Sequence, residues 1–396
     1  MRALRSIVAA ALAALWALAA APAPVQGAPA TLNWARSLHV KGVLDIVGPR
    51  SDGELVVAAD GKLFLLDPAT GARRQFAAGA GGYSRTSGGE PYIALSTGSR
   101  VAAAGCAFGP DELFVLQLEP AGGVLRIDGQ GRAHAFATVD GVATLNGITF
   151  DTTGRFGGRL LVTGPSHGAT VVAAIDCRGQ VTHITDAGPV VEGGIAVAPA
   201  GFGTHGGDLV APDELSGNLY AIRPDGSSSL LARSGLPGGG DIGVEGVGFA
   251  PPGFAAGGAA YFADRSTAGN PHPGTDSLLR LDGKSLIGVG VHEGDLLAAT
   301  EGGAAMVAVH CGQSCEVTQI VAADTAHGEG HLLVAGAAPA GTARALPEAS
   351  DLGRAALVQR LLLWGGAVLV AALAIALVAL LAIRRRRGSA RSRRVR

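Results

Sequence analysis

Short apolar runs, separated by glycine-rich bends and Asp-Gly turns, fill the chain between residues 31 and 340. No long stretch of this region repeats its apolar residues at a period of 3.6, so the pattern favours strands over helices. The runs recur in groups, and the clearest groups begin at Asn146, Glu192 and Glu245. Their strand-like segments are 146–150, 159–162, 171–176 and 180–184; 192–197, 208–210, 218–222 and 229–232; and 245–249, 260–263 and 278–283.

Weaker copies of the same unit precede and follow these three groups. The copies cover residues 44–76, 112–136 and 295–320. A period of about 45 to 50 residues with four strands in each period indicates a β-propeller. We predict an all-β propeller over residues 31–336 with six blades, seven being the alternative, and a pair of β-sandwiches is the rival fold. The surplus strand at 331–334 is expected to pair with the N-terminal segment 32–40 and to close the ring.

Both ends of the chain carry membrane-targeting signals. Residues 1–30 combine a basic start, a short apolar core and small residues suited to cleavage, which indicates a signal peptide. Residues 361–383 are 23 uncharged residues, enough for one transmembrane helix. Eight arginines follow in the tail at 384–396, so we predict a cytoplasmic C-terminus and a single-pass plasma-membrane protein. The propeller would then be extracellular, joined to the span by a linker at 337–360.

A second interpretation of the C-terminal region remains open. Residues 346–350, Leu-Pro-Glu-Ala-Ser, loosely resemble the signals that sortases and related enzymes read ahead of an apolar span. Ala349 stands where such signals have Thr. Plain anchoring and enzymatic processing of the C-terminus are therefore alternatives.

The charge of the chain is unevenly distributed. Of 31 Lys and Arg residues, two lie in the predicted signal peptide and eight in the tail, leaving 21 against 32 Asp and Glu. The exported part therefore has a formal charge of 21 − 32 = −11. An acidic domain of this kind is not expected to bind nucleic acid. The richness in Ala, Gly and Arg is typical of a GC-rich bacterial genome.

All four cysteines lie in the predicted exported region, a compartment that permits disulfides. Cys311 and Cys315 flank a three-residue turn, and strands joined by such a turn bring their β-carbons within bridging range. We predict a Cys311–Cys315 disulfide and, by elimination, a Cys106–Cys177 disulfide. A metal site at these cysteines is disfavoured because neither a CxxC pair nor a His at ligand spacing accompanies them.

The turn motifs resemble those of a known group of proteins. Asn146-Gly-Ile-Thr-Phe-Asp151 and the Asp-Gly turns that end at Gly226 and Gly283 are similar to those of six-bladed propellers. The groups concerned are the gluconolactonase and senescence-marker type, the NHL-repeat type and the streptogramin-lyase type. The resemblance covers most of the predicted exported domain, and it implies the same fold.

The resemblance also implies a site on the propeller axis. In such propellers the residue before the innermost strand of a blade points at the axis, and Asn146, Glu192 and Glu245 hold that position. Their oxygens suit Ca²⁺ or another divalent cation. Gluconolactonase-like enzymes place a Glu, an Asn and an Asp around such an ion. Asn146 matches their Asn, Glu192 replaces their Asp, and Lys41-Gly42 falls where their first Glu is expected. The alternative is that the Glu-Gly pairs only hold turns.

Further acidic residues are predicted to lie on the same face, in the loops that follow second strands. They are Asp213, Glu214, Asp264 and Glu301. Together they predict an acidic mouth for a cation or a basic ligand. The segment His327-Gly-Glu-Gly-His331 reads as an exposed loop, because its glycines deny it the helix of an HExxH zinc site. Three other histidines could line the channel and act as a lyase-like base, namely His167, His205 and His292.

Three classes of function fit these features. The first is a membrane-anchored binding module for an extracellular protein, glycan or small ligand, with a divalent cation on the axis. The second is a metal-dependent lactone hydrolase or lyase at the channel mouth. The third is a structural surface protein. The absence of a complete catalytic motif in the sequence favours the first.

Overall fold

The structure is a computed structural model, and it describes residues 31–85, 89–119 and 121–337. It contains one α-helix, α1 (Gly283–Gly288), and three 3₁₀ turns (Ala102–Ala104, Gly203–His205 and Phe254–Ala256) within these residues. In chain order the strands are β1 (Ala35–His39), β2 (Val43–Val47), β3 (Leu55–Ala59), β4 (Lys62–Leu66), β5 (Arg73–Phe76), β6 (Ile93–Thr97), β7 (Arg100–Val101), β8 (Cys106–Ala107), β9 (Pro110–Gln117), β10 (Gly123–Ile127), β11 (Ala133–Thr138), β12 (Gly147–Phe150), β13 (Leu160–Ser166), β14 (Ala169–Ile175), β15 (Val181–Gly188), β16 (Ala196–Val197), β17 (Leu209–Asp213), β18 (Asn218–Ile222), β19 (Ser228–Arg233), β20 (Val244–Phe249), β21 (Ala259–Asp264), β22 (Ser277–Asp282), β23 (Leu296–Thr300), β24 (Met306–Cys311), β25 (Cys315–Val321) and β26 (Gly328–Ala335).

Six antiparallel four-stranded sheets make the blades of a propeller. From the innermost strand outwards, blade 1 is β2-β3-β4-β5, blade 2 is β6-β9-β10-β11, blade 3 is β12-β13-β14-β15, blade 4 is β16-β17-β18-β19, blade 5 is β20-β23-β24-β25 and blade 6 is β26-β21-β22-β1. The inner strands of neighbouring blades contact each other, and β26 contacts β2, so the ring closes. The predicted all-β propeller with six blades is confirmed.

Burial explains why the middle strands of the blades read as unbroken apolar runs. Each blade is packed between two neighbours, so strands such as β3 and β17 are buried along their whole length. Outer strands such as β11 and β15 carry polar and exposed residues. Between blades 2 and 3, the rings of Phe108, Phe114 and Phe150 meet edge to face with centroids 5.0 to 5.4 Å apart. The core therefore lies between blades.

Blades 5 and 6 share their strands in a way that the repeats did not predict. We expected the segments at 245–249, 260–263 and 278–283 to form one blade, and this was wrong. The inner strand β20 pairs instead with β23, which lies beyond two intervening strands, and those two strands pair into blade 6. Strand pairing depends on contacts distant in sequence, so four strands of similar pattern do not specify their partners.

The ring closes through both ends of the propeller, although not by the pairing we expected. The N-terminal strand β1 and the C-terminal strand β26 lie in the same blade, but at its outer and inner edges. β1 pairs with β22, and β26 pairs with β21. The prediction of direct pairing between these two segments was therefore wrong, while the closure of the ring by both chain ends is correct.

Both predicted disulfides are present. The Cys106–Cys177 disulfide links β8 in the loop region of blade 2 to the turn after β14 in blade 3, with a Cα–Cα distance of 6.0 Å. Cys311–Cys315 closes the β24–β25 hairpin with a Cα–Cα distance of 4.1 Å. Because these bridges use all four cysteines of the chain, no thiol is left over.

The predicted signal peptide at 1–30, the span at 361–383 and the tail at 384–396 lie outside the described residues. Most of the predicted linker at 337–360 does as well. The helices of the described ranges are all too short or too polar to cross a membrane.

Candidate functional site

An acidic cup lies at the face of the propeller where the inner strands begin. We call this the upper face. All six inner strands run in the same direction, so residues at their first positions meet there, together with residues that follow the second strands. The residues that define the acidic cup are Glu90, Tyr92, Glu192, Glu214, Glu245, Arg265, Glu301, His327 and Glu329. The cup therefore holds six carboxyl groups but only two basic side chains.

Three side chains of the acidic cup converge on one point. His327 Nε2 lies 2.9 Å from Glu301 Oε1 and 3.6 Å from Glu329 Oε1. All three residues are buried, and their donor atoms lie within 4.8 Å of one another. The second ring nitrogen of His327, Nδ1, is buried without a hydrogen-bond partner. One nitrogen and two carboxylate oxygens thus face each other in a place largely closed to solvent.

A carboxyl pair stands beside this triad. The carboxyl group of Glu214 lies beside that of Glu301, and burial raises the pKa of both. Glu214 Oε1 is buried without a hydrogen-bond partner. Buried carboxylate oxygens cost several kcal/mol when they lack a donor or a cation. Glu214 is therefore a group that a ligand or an ion would satisfy.

Other acidic side chains of the cup are held by hydrogen bonds from Tyr92, Arg265 and a backbone N–H group. Tyr92 Oη in blade 2 donates to Glu245 Oε1 in blade 5 over 2.6 Å, and the backbone N–H of Gly330 also donates to this oxygen. Burial and the charge of Glu329 raise the pKa of Glu245 well above its usual range. Arg265 Nη1 donates to Glu329 Oε1 over 2.9 Å and to Glu90 Oε1 over 3.0 Å.

The floor of the cup is a buried ion pair on the axis. Asp45 is fully buried and accepts hydrogen bonds from the backbone N–H groups of Ile46, Ile93 and His331, each 2.8 Å long. His331 Nδ1 lies 3.0 Å from the same carboxylate, and its Nε2 lies 2.7 Å from the carbonyl oxygen of Ile148 in the opposite blade. The His331 side chain therefore crosses the axis and closes it.

Close backbone packing surrounds this closure. An added Cβ at Gly194 would lie 2.6 Å from the carbonyl oxygen of Gly330, and one at Gly246 would lie 2.5 Å from that oxygen. Contacts this short are not tolerated between a side chain and backbone. The inner strands of blades 4, 5 and 6 thus lie so close together that only glycine, which has no Cβ, fits at these two positions.

Below the floor lies a separate apolar cavity, which we call the lower funnel. Its volume is about 640 Å³, and it runs from His331 to the residues that follow the inner strands. All six blades contribute to its walls, mainly through Ile46, Leu95, Ile148, Ile195, Val247 and Leu332. The axis therefore holds two compartments of opposite character, an acidic one above and an apolar one below.

Burial and the crowding of carboxyl groups raise the pKa values of several side chains in the cup. Burial, reinforced by the charge of Glu329, raises the pKa of Glu301 to about 8. Glu192 is exposed at the rim of the cup, where partial desolvation and the charge of Glu214 raise its pKa to about 7. Burial opposes protonation of His327, but its hydrogen bonds to Glu301 and Glu329 outweigh this and raise its pKa to about 9. These carboxyls therefore hold their protons to higher pH than free ones, because full ionisation of all six would exceed the charge of the two basic side chains.

These shifts predict how stability depends on pH without metal. A carboxyl whose pKa rises on folding stabilises the fold while it stays protonated, and His327 acts in the same direction. Stability from Glu301 should be lost between about pH 4.5 and 8, and that from His327 between about pH 6.5 and 9. We expect the melting temperature of the chelator-treated protein to fall from pH 5 to pH 9.

Calorimetric scans at unit steps of pH would check this expectation. Glu301→Gln should flatten the profile and raise the melting temperature at pH 9, because it removes one of the repelling charges. A melting temperature that rises from pH 5 to pH 9 would show that the cup carboxylates are well solvated or well paired.

The structure places the sequence-predicted axial residues in two different roles. Glu192 and Glu245 lie in the acidic cup. Asn146 lies at its edge, where its amide donates to the carbonyl oxygen of Val191 over 3.0 Å and accepts from Thr163 Oγ1 over 3.2 Å. These contacts join blade 3 to the segment that enters blade 4. Coordination of a cation by Asn146, Glu192 and Glu245 stays a prediction.

The four acidic residues predicted around the mouth also have two different roles. Glu214 and Glu301 belong to the cup. Asp213 holds its own turn by accepting from the backbone N–H of Leu215 and Ser216. Asp264 is fully buried and accepts from Thr275 Oγ1 and from the backbone N–H of His327. Binding of a ligand by these residues is a prediction that the geometry supports best for the first pair.

Sequence reasoning missed five of the nine cup residues, and one interpretation was wrong. The segment 327–331 is not an exposed loop, because it enters β26, and its side chains at 327, 329 and 331 are buried. Alternate residues of a strand point to the same side, so the spacing His-x-Glu-x-His was the available signal. Glu90, Tyr92 and Arg265 carried no comparable signal.

The other histidines considered for the channel lie elsewhere. His167 occupies the exposed turn between β13 and β14. His205 and His292 precede β17 and β23 at the opposite face, where they face Asp208 and Asp295. None of the three belongs to the acidic cup, so a lyase-like base at the cup would have to be another residue.

Comparisons with known proteins bear on the fold. No protein-family model and no curated protein sequence matches the chain. Virginiamycin B lyase from Staphylococcus aureus is a similar solved structure, with a TM-score of 0.42 and 10% identity over 73% of this chain and 74% of that one. A putative gluconolactonase has a TM-score of 0.36 and 17% identity over 59% of this chain and 71% of that one. Two of the three propeller types that the sequence resembles are thus among its structural neighbours, and the likeness concerns the fold alone.

Proposed function

We propose that this protein is a ligand-binding propeller that holds a divalent cation in its acidic cup. The ligands from the protein are Glu301, His327 and Glu329. The observation that carries the proposal is the convergence of these three donors in a cup with six carboxyl groups and two basic side chains. A dication would replace the protons on these carboxyls and offset the repulsion between their ionised forms.

The donor atoms fit a small cation with mixed ligands. Ligand atoms of a tetrahedral ion with bonds of about 2.0 to 2.1 Å lie about 3.3 Å apart. The distances from His327 Nε2 to Glu301 and Glu329 are 2.9 and 3.6 Å, on either side of this value. An imidazole among the ligands favours Zn²⁺ or Mn²⁺, because Ca²⁺ prefers oxygen donors alone. We therefore place the ion beside the axis and expect Zn²⁺ or Mn²⁺ rather than the Ca²⁺ suggested by the resemblance.

The composition of the cup also restricts the ligand. Three protein donors leave one or more coordination positions open for an oxygen from a bound molecule. Glu90, Glu192, Glu214 and Glu245 remain around that position and disfavour anionic ligands. The best match is a neutral, hydroxyl-rich small molecule or glycan.

A hydrolase or lyase is the second candidate, and one observation favours it. Glu214 has a raised pKa through burial and an oxygen without a donor next to the proposed metal position. A buried carboxyl with a raised pKa suits proton transfer to or from a bound molecule. The cation would then polarise a carbonyl group of the substrate. Turnover of a lactone that stops in Glu214→Gln while metal binding persists would favour this candidate over plain binding.

The cellular setting is part of the proposal. The predicted signal peptide, span and arginine tail support an extracytoplasmic propeller on a single-pass anchor. The two disulfides agree with that compartment, since cytosolic proteins rarely keep such bridges.

Metal titration of the purified full-length chain tests the proposal. We expect Zn²⁺ or Mn²⁺ to bind the cup and to raise the melting temperature at pH 8. Glu301→Gln should weaken this binding by more than about 100-fold, because even an outer-shell partner of a metal contributes 10- to 100-fold. Calorimetry with Zn²⁺, Mn²⁺ and Ca²⁺ gives the affinities.

Glu119→Gln is the matched control, because it removes one carboxylate from an exposed position outside the cup. It should leave the affinity unchanged. Equal binding by Glu301→Gln, Glu329→Gln and the unchanged protein would rule out the cup as the metal site. A melting scan of metal-free Glu301→Gln at pH 8 shows whether the variant is folded, so that loss of binding is distinguished from unfolding.

A further inference from the structure

A second group of metal-ligand side chains lies at the opposite face, below blade 5. It consists of His292, Asp295 and His310, whose donor atoms lie within 4.8 Å of one another. His310 Nδ1 is 2.7 Å from Asp295 Oδ1, and His292 Nδ1 is 3.4 Å from Asp295 Oδ2. The carboxylate is only 3% exposed, whereas the two imidazoles are 71% and 65% exposed. Two accessible nitrogens thus face one buried carboxylate, each at a different oxygen.

Blade 4 contains the same turn without the second histidine. His205-Gly-Gly-Asp208 precedes β17 just as His292-Glu-Gly-Asp295 precedes β23, and His205 Nδ1 is 3.3 Å from Asp208 Oδ2. The turn therefore accounts for a His–Asp pair in both blades. Opposite the aspartate, however, blade 4 has Arg223, whose Nε lies 3.9 Å from Asp208 Oδ2. In blade 4 the buried aspartate is therefore paired with a basic side chain that is not a metal ligand.

In blade 5 that position is taken by His310, which brings a second metal-binding nitrogen instead of a permanent positive charge. Arg223 and His310 occupy corresponding places, one residue beyond the pairs Leu209–Ile222 and Leu296–Val309. Arginine keeps its charge at all ordinary pH values and does not bind metals, whereas neutral imidazole does.

The blade 5 group is also held rigidly. The backbone N–H of His292 donates to Asp295 Oδ2 over 2.7 Å, which fixes the carboxylate. His310 lies on β24 directly before Cys311, whose disulfide to Cys315 closes the hairpin. Preformed donors lose little conformational freedom when an ion binds.

We infer that His292, Asp295 and His310 form a surface site for a transition-metal dication of the Zn²⁺ class. The two histidine–aspartate distances, each to a different oxygen of the Asp295 carboxylate, bracket the separation of about 3.3 Å expected between ligands of one tetrahedral ion. The exposed imidazoles leave the remaining position open to water or to a donor from another molecule. This site is independent of the acidic cup, because the two lie at opposite ends of the inner strands.

Titration of the full-length protein with Zn²⁺ tests the inference through its stoichiometry. We expect His310→Arg, which installs the blade 4 residue, to remove one zinc ion with micromolar affinity. Binding at the cup should persist in this variant, and binding at the blade 5 site should persist in Glu301→Gln. Failure of either site is therefore recognised separately.

Two further variants make the test sharper. His205→Ala is the matched control and should leave the zinc stoichiometry unchanged. Arg223→His should add one zinc ion, because it completes the same three-residue set in blade 4. Unchanged stoichiometry in His310→Arg would overturn the inference, as would binding that needs millimolar Zn²⁺ in the unchanged protein. Because His310 is exposed, its replacement should not alter the melting temperature without metal, and a scan of each variant checks this.

Discussion

Asp45→Ala is expected to lower the free energy of unfolding by about 5 kcal/mol, because removing one partner of a buried ion pair typically costs 3 to 5 kcal/mol and unpaired donors add to it. Asp45 accepts from backbone groups of blades 1, 2 and 6 and pairs with His331. Without the carboxylate these donors would stay buried and unsatisfied. Chemical denaturation of the full-length protein at pH 7 measures the change.

Asp45→Asn is the control for shape. It keeps the volume and one acceptor oxygen but loses the charge that faces His331. We expect a loss of about 2 kcal/mol, the range of a hydrogen bond to a charged group. A loss below about 1 kcal/mol for Asp45→Ala would mean that the floor of the cup does not hold the blades together.

Removal of the Cys106–Cys177 disulfide should have the next largest effect. The bridge closes a sequence separation of 71 residues, and loop-closure entropy for such a length is worth about 4 kcal/mol. Cys106→Ala with Cys177→Ala should therefore lower the free energy of unfolding by roughly that amount. Denaturation of the double variant beside the unchanged protein gives the difference.

The second disulfide supplies an internal comparison. Cys311–Cys315 spans a sequence separation of only 4, so its removal should cost about 2 kcal/mol by the same relation. If the short bridge proved the more stabilising of the two, the entropic account would be wrong. Native-state contacts would then decide the contribution of each bridge.

Local pattern was enough to predict the strands and the number of blades. Apolar runs such as those of β13 and β14 are buried between blades. The length of such a run and the turn residues on either side can be recognised in the sequence. The disulfides followed from two facts, a tight turn between Cys311 and Cys315 and the exclusion of other partners for Cys106 and Cys177.

Strand order in blades 5 and 6 could not be predicted in the same way. β20 and β21 are neighbours in sequence with similar patterns, yet they lie in different blades. Their partners β23 and β26 come later in the chain, and the sequence pattern of a buried strand does not say which other buried strand it will meet.

The candidate site was predicted in part. Glu192 and Glu245 were predicted because they lie before or within an inner strand. Glu214 and Glu301 were predicted because they follow a second strand. His327 and Glu329 were missed because glycines between them suggested a loop, whereas the spacing of two residues fits a strand. Tyr92 and Arg265 contact Glu245 and Glu90 of other blades, and only the assembled ring creates these contacts.

The most direct test of the central claim is an anomalous diffraction measurement on crystals of the protein grown with Mn²⁺ or Zn²⁺. Data collected at the absorption edge of the metal should show a peak bounded by His327 Nε2 and the carboxylates of Glu301 and Glu329, about 2.0 to 2.2 Å from each ligand atom. The peak should be lost in Glu301→Gln. A cup without an anomalous peak at saturating metal, or a peak that persists unchanged in Glu301→Gln, would contradict the account.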